Sequence, residues 1–210
     1  MNMKKQLLLF ITLILITNCI SKKMISPKED ERQYDGKLYF ATYNEAKYPR
    51  DTINNGPNDS LSLFRNKWYS KHLNSLKEIS LFDKKDENLK IVRYTNLGTW
   101  SNPFVYKMEN QTGQIILTYK QTDGLGGYQT GKIIKEHTKK VNLEKWNNFI
   151  SKANDINFWN MDTHDPNIVL DGEEWILEIL IDGKYHLVTR NNPENNDDSE
   201  FAELCNLLIN

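Results

Sequence analysis

Several short stretches in the second half of the chain alternate between hydrophobic and polar residues, which is the pattern of β-strands. Asn110–Gly113 separates two of them with turn-forming residues and predicts an antiparallel hairpin. A short apolar run at 38–43 is compatible with a further strand. The alternating stretches are residues 90–95, 103–108, 114–120 and 128–139.

The clearest hairpin lies within Glu173–Asn191, where Asp182-Gly183 separates two alternating runs. Asp-Gly favours a two-residue type I′ turn, and such a turn fixes which residues face each other. Both faces of the hairpin are largely apolar, so we expect it to lie centrally or to be covered on both sides. One face carries Trp175, Leu177, Ile179, His186, Val188 and Arg190, and the other Ile176, Glu178, Leu180, Tyr185, Leu187 and Thr189.

Apolar residues recur every three to four positions in three further stretches, which predicts helices. The first helix is expected to start after Asp59 or Ser60 as N-cap, and to place His72 at the boundary between core and solvent. The second is Leu143–Ala153 with Asn142 as N-cap, and the third is Ser199–Ile209. Helices packed on an antiparallel sheet of about five to seven strands define an α+β fold.

The N-terminal residues 1–18 have the features of a signal peptide. Lys4 and Lys5 precede an apolar run at 7–16, which as a helix spans about 15 Å, roughly half of a bilayer core. An apolar run that ends at Cys19 resembles the bacterial lipoprotein signal, which is cleaved before a cysteine that then receives fatty acyl groups such as palmitate. Asn18 departs from the small residue usual before that cysteine. An ordinary signal peptide with an incidental cysteine is the alternative.

The lipoprotein resemblance implies a bacterial cell-envelope location, with the chain anchored to a membrane through Cys19 and exposed to the periplasm or the cell surface. Residues 19–36 are rich in Lys, Glu and Asp and predict a solvated tether. Residues 37–210 then form a single α+β domain.

Composition and charge narrow the classes of function. The 210 residues contain 27 Lys and Arg against 28 Asp and Glu, a net charge of -1, which argues against a nucleic-acid-binding protein. Aromatic residues make up 11% of the chain and favour a folded core. Because Cys19 is expected to carry lipid and Cys205 has mostly apolar neighbours, we expect Cys205 to be a buried structural thiol.

Motifs for catalysis or cofactor binding are missing from the sequence. It contains no GxSxG, no HExxH and no pair of histidines at metal-ligand spacing, so we expect neither a metal nor a cofactor. Gly124–Gly127 lacks the spacing of a phosphate-binding loop and predicts a flexible connection with positive φ angles. Met161–Asp165 combines two carboxylates and a histidine, so a weak divalent-ion site is the alternative to an ordinary polar loop.

A set of residues around the C-terminal hairpin resembles the pattern of a family of small uncharacterised bacterial proteins, many of them lipoproteins. In that pattern a DG-W-E stretch leads to G-YH and then to R-x-x-P. The resemblance covers about residue 91 onward, supports the architecture and implies no known activity; Asn191 stands where the pattern has Trp. The matching residues are Gly126-Gly127-Tyr128, Gly131, Phe158-Trp159, Asp171-Gly172, Trp175, Glu178, Gly183, Tyr185-His186, Arg190 and Pro193.

Four residues of this region form the candidate binding site: Asp171, Trp175, His186 and Arg190. The predicted register places Arg190 opposite Trp175, which favours a cation–π pair. His186 is expected to meet Asp171 or a loop carboxylate, whereas Glu178 points to the other face. The four residues either anchor the rim of the sheet or line a groove for a ligand.

The sequence therefore predicts an envelope lipoprotein that is a non-enzymatic binding module for an unknown protein or small ligand. The first alternative is a periplasmic hydrolase that uses His186 with a carboxylate. The second is an immunity-like protein that inhibits a toxin. The missing catalytic motifs favour the binding module over the hydrolase.

Overall fold

The computed structural model of the protein describes residues 34–47, 56–85, 87–165, 171–195 and 198–210. The predicted signal peptide, Cys19 and the first part of the tether lie outside the described residues. No helix in the described part of the chain has the length and apolar character needed to cross a membrane.

An antiparallel sheet of six strands forms the centre of the molecule, with the strand order β6-β5-β4-β3-β7-β8. A separate, parallel pair of two-residue strands, β1 and β2, lies outside it. The predicted α+β class with an antiparallel sheet is confirmed. The strands are β1 (Ala41–Thr42), β2 (Ser60–Leu61), β3 (Lys90–Gly98), β4 (Phe104–Gln111), β5 (Gln114–Thr122), β6 (Ile133–Val141), β7 (Glu173–Ile181) and β8 (Lys184–Asn191).

The hairpin of β7 and β8 has the predicted register, with Trp175 opposite Arg190 and Ile179 opposite His186. Asp182 and Gly183 have φ angles of 50° and 82°, as a type I′ turn requires. β7 lies between β3 and β8, and β8 is the last strand of the sheet. Both faces of the hairpin are buried, which agrees with its apolar pattern.

Three helices cover the sheet: α1 (Leu63–Ser75), α2 (Leu143–Asp155) and α3 (Ser199–Ile209). The side chain of Asn142 caps α2 as predicted, by accepting a hydrogen bond from the backbone N–H of Lys145 at 3.0 Å. The predicted N-cap of α1 is wrong. Ser62 fills that position and accepts from the N–H of Arg65, because the chain before it runs as β2 and does not turn into the helix until Leu63.

The sheet has an apolar core on each side. α2 and α3 bury residues such as Phe149 and Phe201 against one face, whereas α1 packs Tyr69 and Leu73 against the other. Cys205 is fully buried in the first core, as predicted, and burial raises the pKa of its thiol well above the usual value. His72 of α1 is also fully buried, so its predicted boundary position is wrong: the helix is covered by the sheet and by the loop before β6.

Candidate functional site

The structure brings together three of the four predicted site residues. Trp175, His186 and Arg190 lie on the face of the hairpin that packs against α2 and α3, and each is at most 5% exposed. Asp171 is exposed just before β7, has a φ angle of 57°, and makes no hydrogen bond or ion pair with the described residues. It is therefore separate from the other three.

His186 meets a loop carboxylate, which was one of the two predicted partners. Its Nδ1 lies 2.8 Å from Oδ1 of Asp59, and its Nε2 lies 3.0 Å from the carbonyl oxygen of Met161. The ring of Phe158 covers it edge-on at 5.1 Å. Both ring nitrogens thus already have partners, and the side chain has almost no access to solvent.

Arg190 has a different aromatic partner from the predicted one. Its guanidinium lies over the ring of Phe201, 5.8 Å from the centroid, and not over Trp175. Its Nε donates to Oδ1 of Asp198 at 3.0 Å, and its Nη1 donates to the carbonyl oxygen of Asp162 at 3.0 Å. The start of α3 supplies both Asp198 and Phe201, and this contact could not be foreseen from the hairpin register.

The outer edge of β8 is closed by loop residues. Alternate N–H groups of β8 point away from β7, and three of them meet an oxygen acceptor: that of Leu187 donates to Asp59 and that of Thr189 to the carbonyl of Thr163, both at 2.8 Å. The N–H of Asn191 donates to the carboxylate of Asp165. Along residues 187–191 the edge is thus blocked against pairing with another strand.

The two loops that close this edge also bind each other. The N–H of Asp59 donates to Oγ1 of Thr163 at 2.8 Å, and the N–H of Thr163 donates to Oδ1 of Asn58 at 2.9 Å. Within the described residues, no group of three or more His, Cys, Asp or Glu side chains is placed to hold a metal ion. The polar loop 161–165 is thus used to cover β8.

A buried ionic network on the α1 side of the sheet has no counterpart in the sequence prediction. Arg93 is fully buried, and its Nε donates to Oε2 of Glu178 at 2.8 Å. Lys120 donates from Nζ to Oε1 of Glu78 at 2.6 Å and to the carbonyl oxygen of Leu76, the residue directly after α1, at 3.1 Å. Burial alone would lower the pKa of Arg93, but Glu178 and Glu78 raise it above its ordinary value.

The glycine-rich loop between β5 and β6 is held firmly by α1, in contrast to the predicted flexibility. Gly126 approaches β3 so closely that a Cβ atom there would lie 2.5 Å from the carbonyl carbon of Leu97. Positive φ occurs at Gly131 and not within 124–127. Three donors of α1 bind carbonyl oxygens of the loop: Trp68 that of Gly126 at 2.7 Å, Lys71 that of Tyr128 at 2.9 Å and Ser75 that of Gly131 at 2.6 Å.

A group of large apolar side chains, three of them exposed and two half-buried, lies where α1 meets this loop. We call it the aromatic surface and define it as Leu63, Phe64, Trp68, Trp100 and Tyr128. Trp100 is 62% exposed and packs on Tyr128 with 5.0 Å between ring centroids. Phe64 is 41% exposed and packs on Trp68 at 6.3 Å. Trp68 donates from its indole N–H to the carbonyl oxygen of Gly126, two residues before Tyr128, so the two ring pairs lie on neighbouring segments.

The sequence analysis missed the aromatic surface because Phe64 and Trp68 have the spacing of core residues on a helix. Trp100 gave a usable indication, since it lies in the polar stretch Thr99–Pro103 between two predicted strands. A tryptophan in a tight connection has little apolar surface to pack against.

No protein-family model and no curated protein matches this chain. The family resemblance of the hairpin residues therefore stays an expectation.

Proposed function

We propose that this protein is a lipid-anchored interaction module of the bacterial cell envelope that binds another protein through the aromatic surface. The N-terminal residues 1–18 deliver the chain to the envelope, and lipid at Cys19 holds it on a membrane. The folded domain then presents the aromatic surface to a partner.

The observation that carries the proposal is the 62% exposure of Trp100 within a surface of five large apolar residues. Trp, Tyr and Phe are enriched at protein–protein interfaces and supply most of their binding energy. The hydrogen bonds between α1 and the loop hold the rings in place before binding, so little conformational entropy is lost on association. No member of the surface is charged, which suits an apolar protein partner.

The hydrolase alternative has less support. A general base needs a nitrogen that can reach the substrate, whereas both ring nitrogens of His186 are occupied and the side chain is 4% exposed. An immunity-like inhibitor remains one form of the proposed function, because it too would act by binding a protein.

Site-specific photo-crosslinking in intact cells tests the surface. A benzoyl-phenylalanine at position 100 of the full chain is expected to give a discrete protein adduct that is lost when Phe64→Ser is added. The matched control carries the probe at position 79, since Ile79 is 43% exposed and lies outside the aromatic surface. Equal adducts at both positions, no adduct at all, or adducts to glycan only would contradict the proposal.

Metabolic labelling with a fatty-acid analogue tests the anchor. The wild-type chain is expected to incorporate the label and to fractionate with membranes, and Cys19→Ser is expected to lose both properties. The Cys205→Ser variant is the control, because a fully buried thiol should not affect labelling. Labelling of Cys19→Ser at the wild-type level would exclude lipidation at this residue.

A further inference from the structure

The free edge of the sheet is strand β6, which runs for nine residues from Ile133 to Val141. One side of β6 pairs with β5 along its length. In the part of the chain that the structure describes, no group forms a hydrogen bond to its other side. Seven of its nine residues are exposed, so both faces of the strand are open as well as its edge.

The two edges of the sheet thus differ in the hydrogen bonding of their outward backbone groups. Two carboxylates and a backbone carbonyl occupy three of the outward N–H groups of β8, those of Leu187, Thr189 and Asn191. β6 is longer than the mean strand and is left with a row of unpaired donors and acceptors. An open row of this kind is a template for one further strand.

The charge of β6 indicates what kind of strand it accepts. Lys135, Lys139 and Lys140 stand against one acidic residue, Glu136, which gives the strand a net charge of +2. Lys135 and Lys139 point to the same face because side chains alternate along a strand. Two acidic side chains spaced four residues apart on an added strand would therefore meet both lysines.

A second copy of β6 fits this edge poorly in the register centred on His137. Antiparallel pairing of two β6 strands about His137 would place Lys135 of each strand opposite Lys139 of the other. Like charges in directly opposed positions destabilise a pair of strands. The lysines that hinder self-association are favourable for a partner of opposite charge.

We propose that the edge of β6 is a second binding surface, which accepts an extended, acidic segment of another polypeptide by strand addition. Backbone hydrogen bonds to β6 supply affinity, and the contacts of Lys135 and Lys139 with carboxylates supply the preference for acidic segments. This proposal goes beyond the binding function assigned to the aromatic surface and does not depend on it.

Titration of the full chain with a synthetic nine-residue peptide tests the proposal by fluorescence anisotropy. The peptide alternates Thr and Val and carries Glu at two same-face positions four residues apart. A Gln version tests charge, and a version with N-methylated backbone at alternate residues tests strand pairing. Both versions are expected to bind at least tenfold more weakly than the acidic peptide.

Variants of the protein locate the site. Lys135→Glu with Lys139→Glu is expected to weaken binding of the acidic peptide at least tenfold. The matched control, Lys47→Glu with Lys84→Glu, changes two lysines outside β6 and should leave binding unchanged; thermal melts verify that both variants fold. No binding of the acidic peptide, equal binding of the N-methylated peptide, or an equal effect of the control pair would overturn the proposal. Formation of a β6-mediated dimer in sedimentation experiments in place of peptide binding would also overturn it.

Discussion

His72 combines complete burial with two ring nitrogens that have no hydrogen-bonding partner of good geometry among the described residues. Burial, reinforced by the neighbouring Lys71, lowers its pKa from the ordinary 6.5 to about 3. The ring is therefore neutral in the folded protein at neutral and mildly acidic pH. A neutral imidazole of this kind fills space in the core, but burial of its nitrogens without partners lowers the stability of the fold.

Because of this low pKa, the free energy of unfolding depends on pH. In the unfolded chain His72 gains a proton below about pH 6.5, whereas in the folded protein it does so only near pH 3. The fold is therefore most stable with respect to His72 above pH 6.5, and this stability is lost as the pH falls from 6.5 towards 3. Between pH 8 and pH 5 this amounts to about 2 kcal/mol. His72→Leu is expected to be more stable relative to wild type at pH 5 than at pH 8 by that amount, measured by urea unfolding.

The comparison between variant and wild type isolates His72 from other groups. Burial also lowers the pKa of His164, which gives both proteins a pH dependence of the same sign. A stability difference between His72→Leu and wild type that stays the same at the two pH values would contradict the assignment.

The elements whose structure is set by residues close together in the sequence were predictable. The Asp182-Gly183 turn sets the register of β7 and β8 within the hairpin itself, and α2 and α3 follow from apolar spacing and from Asn142. The pairing of β3 with β7 was not predictable, because it joins segments far apart in the chain. The Arg93–Glu178 ion pair depends on that pairing and was missed for this reason.

Local patterns also left the role of Asp59 open. An aspartate shortly before a helical pattern is typical of an N-cap, and the same residue type can accept hydrogen bonds from a strand edge. The short strand β2 decides between the two roles, since it moves the start of α1 to Leu63 and leaves Asp59 beside β8. The sequence predicted that Trp175, His186 and Arg190 share one face of the hairpin. It did not predict their hydrogen-bonding partners, because these lie in loops whose position the sequence pattern does not give.

Asp59 offers a test of the closed edge. Asp59→Ala removes an acceptor shared by His186 and the N–H of Leu187, and it places alanine at a φ angle of 61°. A loss of about 2–3 kcal/mol in unfolding free energy is expected, together with faster amide exchange at Leu187. Asp59→Asn keeps an acceptor and tolerates this φ angle, so it should cost less than half as much. An Ala variant as stable as the Asn variant would show that the edge is held by other contacts.

The turn of the C-terminal hairpin is a second test at this scale. Gly183 has a φ angle of 82°, and an added Cβ would lie 3.2 Å from the carbonyl oxygen of Lys85. Gly183→Val is expected to lower the unfolding free energy by about 1 kcal/mol or more, because a β-branched residue resists positive φ. Gly183→Asn meets the same oxygen but tolerates the φ angle. The difference between the two variants in thermal denaturation therefore measures the cost of placing a β-branched residue at positive φ. Equal melting temperatures would refute the type I′ assignment.

In the whole molecule, the buried ionic network joins α1 to the middle of the sheet. Lys120 of β5 binds both Glu78 and the carbonyl oxygens of Leu76 and Lys77, the two residues that follow α1. Glu78 in turn approaches Arg93 of β3 at 3.7 Å. Lys107 of β4 lies 3.6 Å from the same carboxylate, so one glutamate links three strands with the segment that follows α1.

Removal of one partner from this network should be costly because it leaves a buried charge uncompensated. Lys120→Met is expected to reduce the unfolding free energy by about 3 kcal/mol. Lys107→Met is the matched control, because the Lys107 ammonium lies 3.6 Å from Glu78 and is 15% exposed, so water can replace it. Chemical denaturation of both variants measures the difference. If the Lys107 variant loses as much stability as the Lys120 variant, the contribution of a lysine in this network does not depend on how deeply it is buried.

The closed edge at β8 sets a limit on how far this protein can assemble. A fibre grows when every molecule offers one edge of its sheet to the next molecule and receives another at its opposite side. Here Asp59, Thr163 and Asp165 block the opposite edge along residues 187–191 of β8, which hinders growth of the sheet at that side. Addition of a strand at β6 would thus end the sheet, and copies of this chain would not polymerise through successive strand addition.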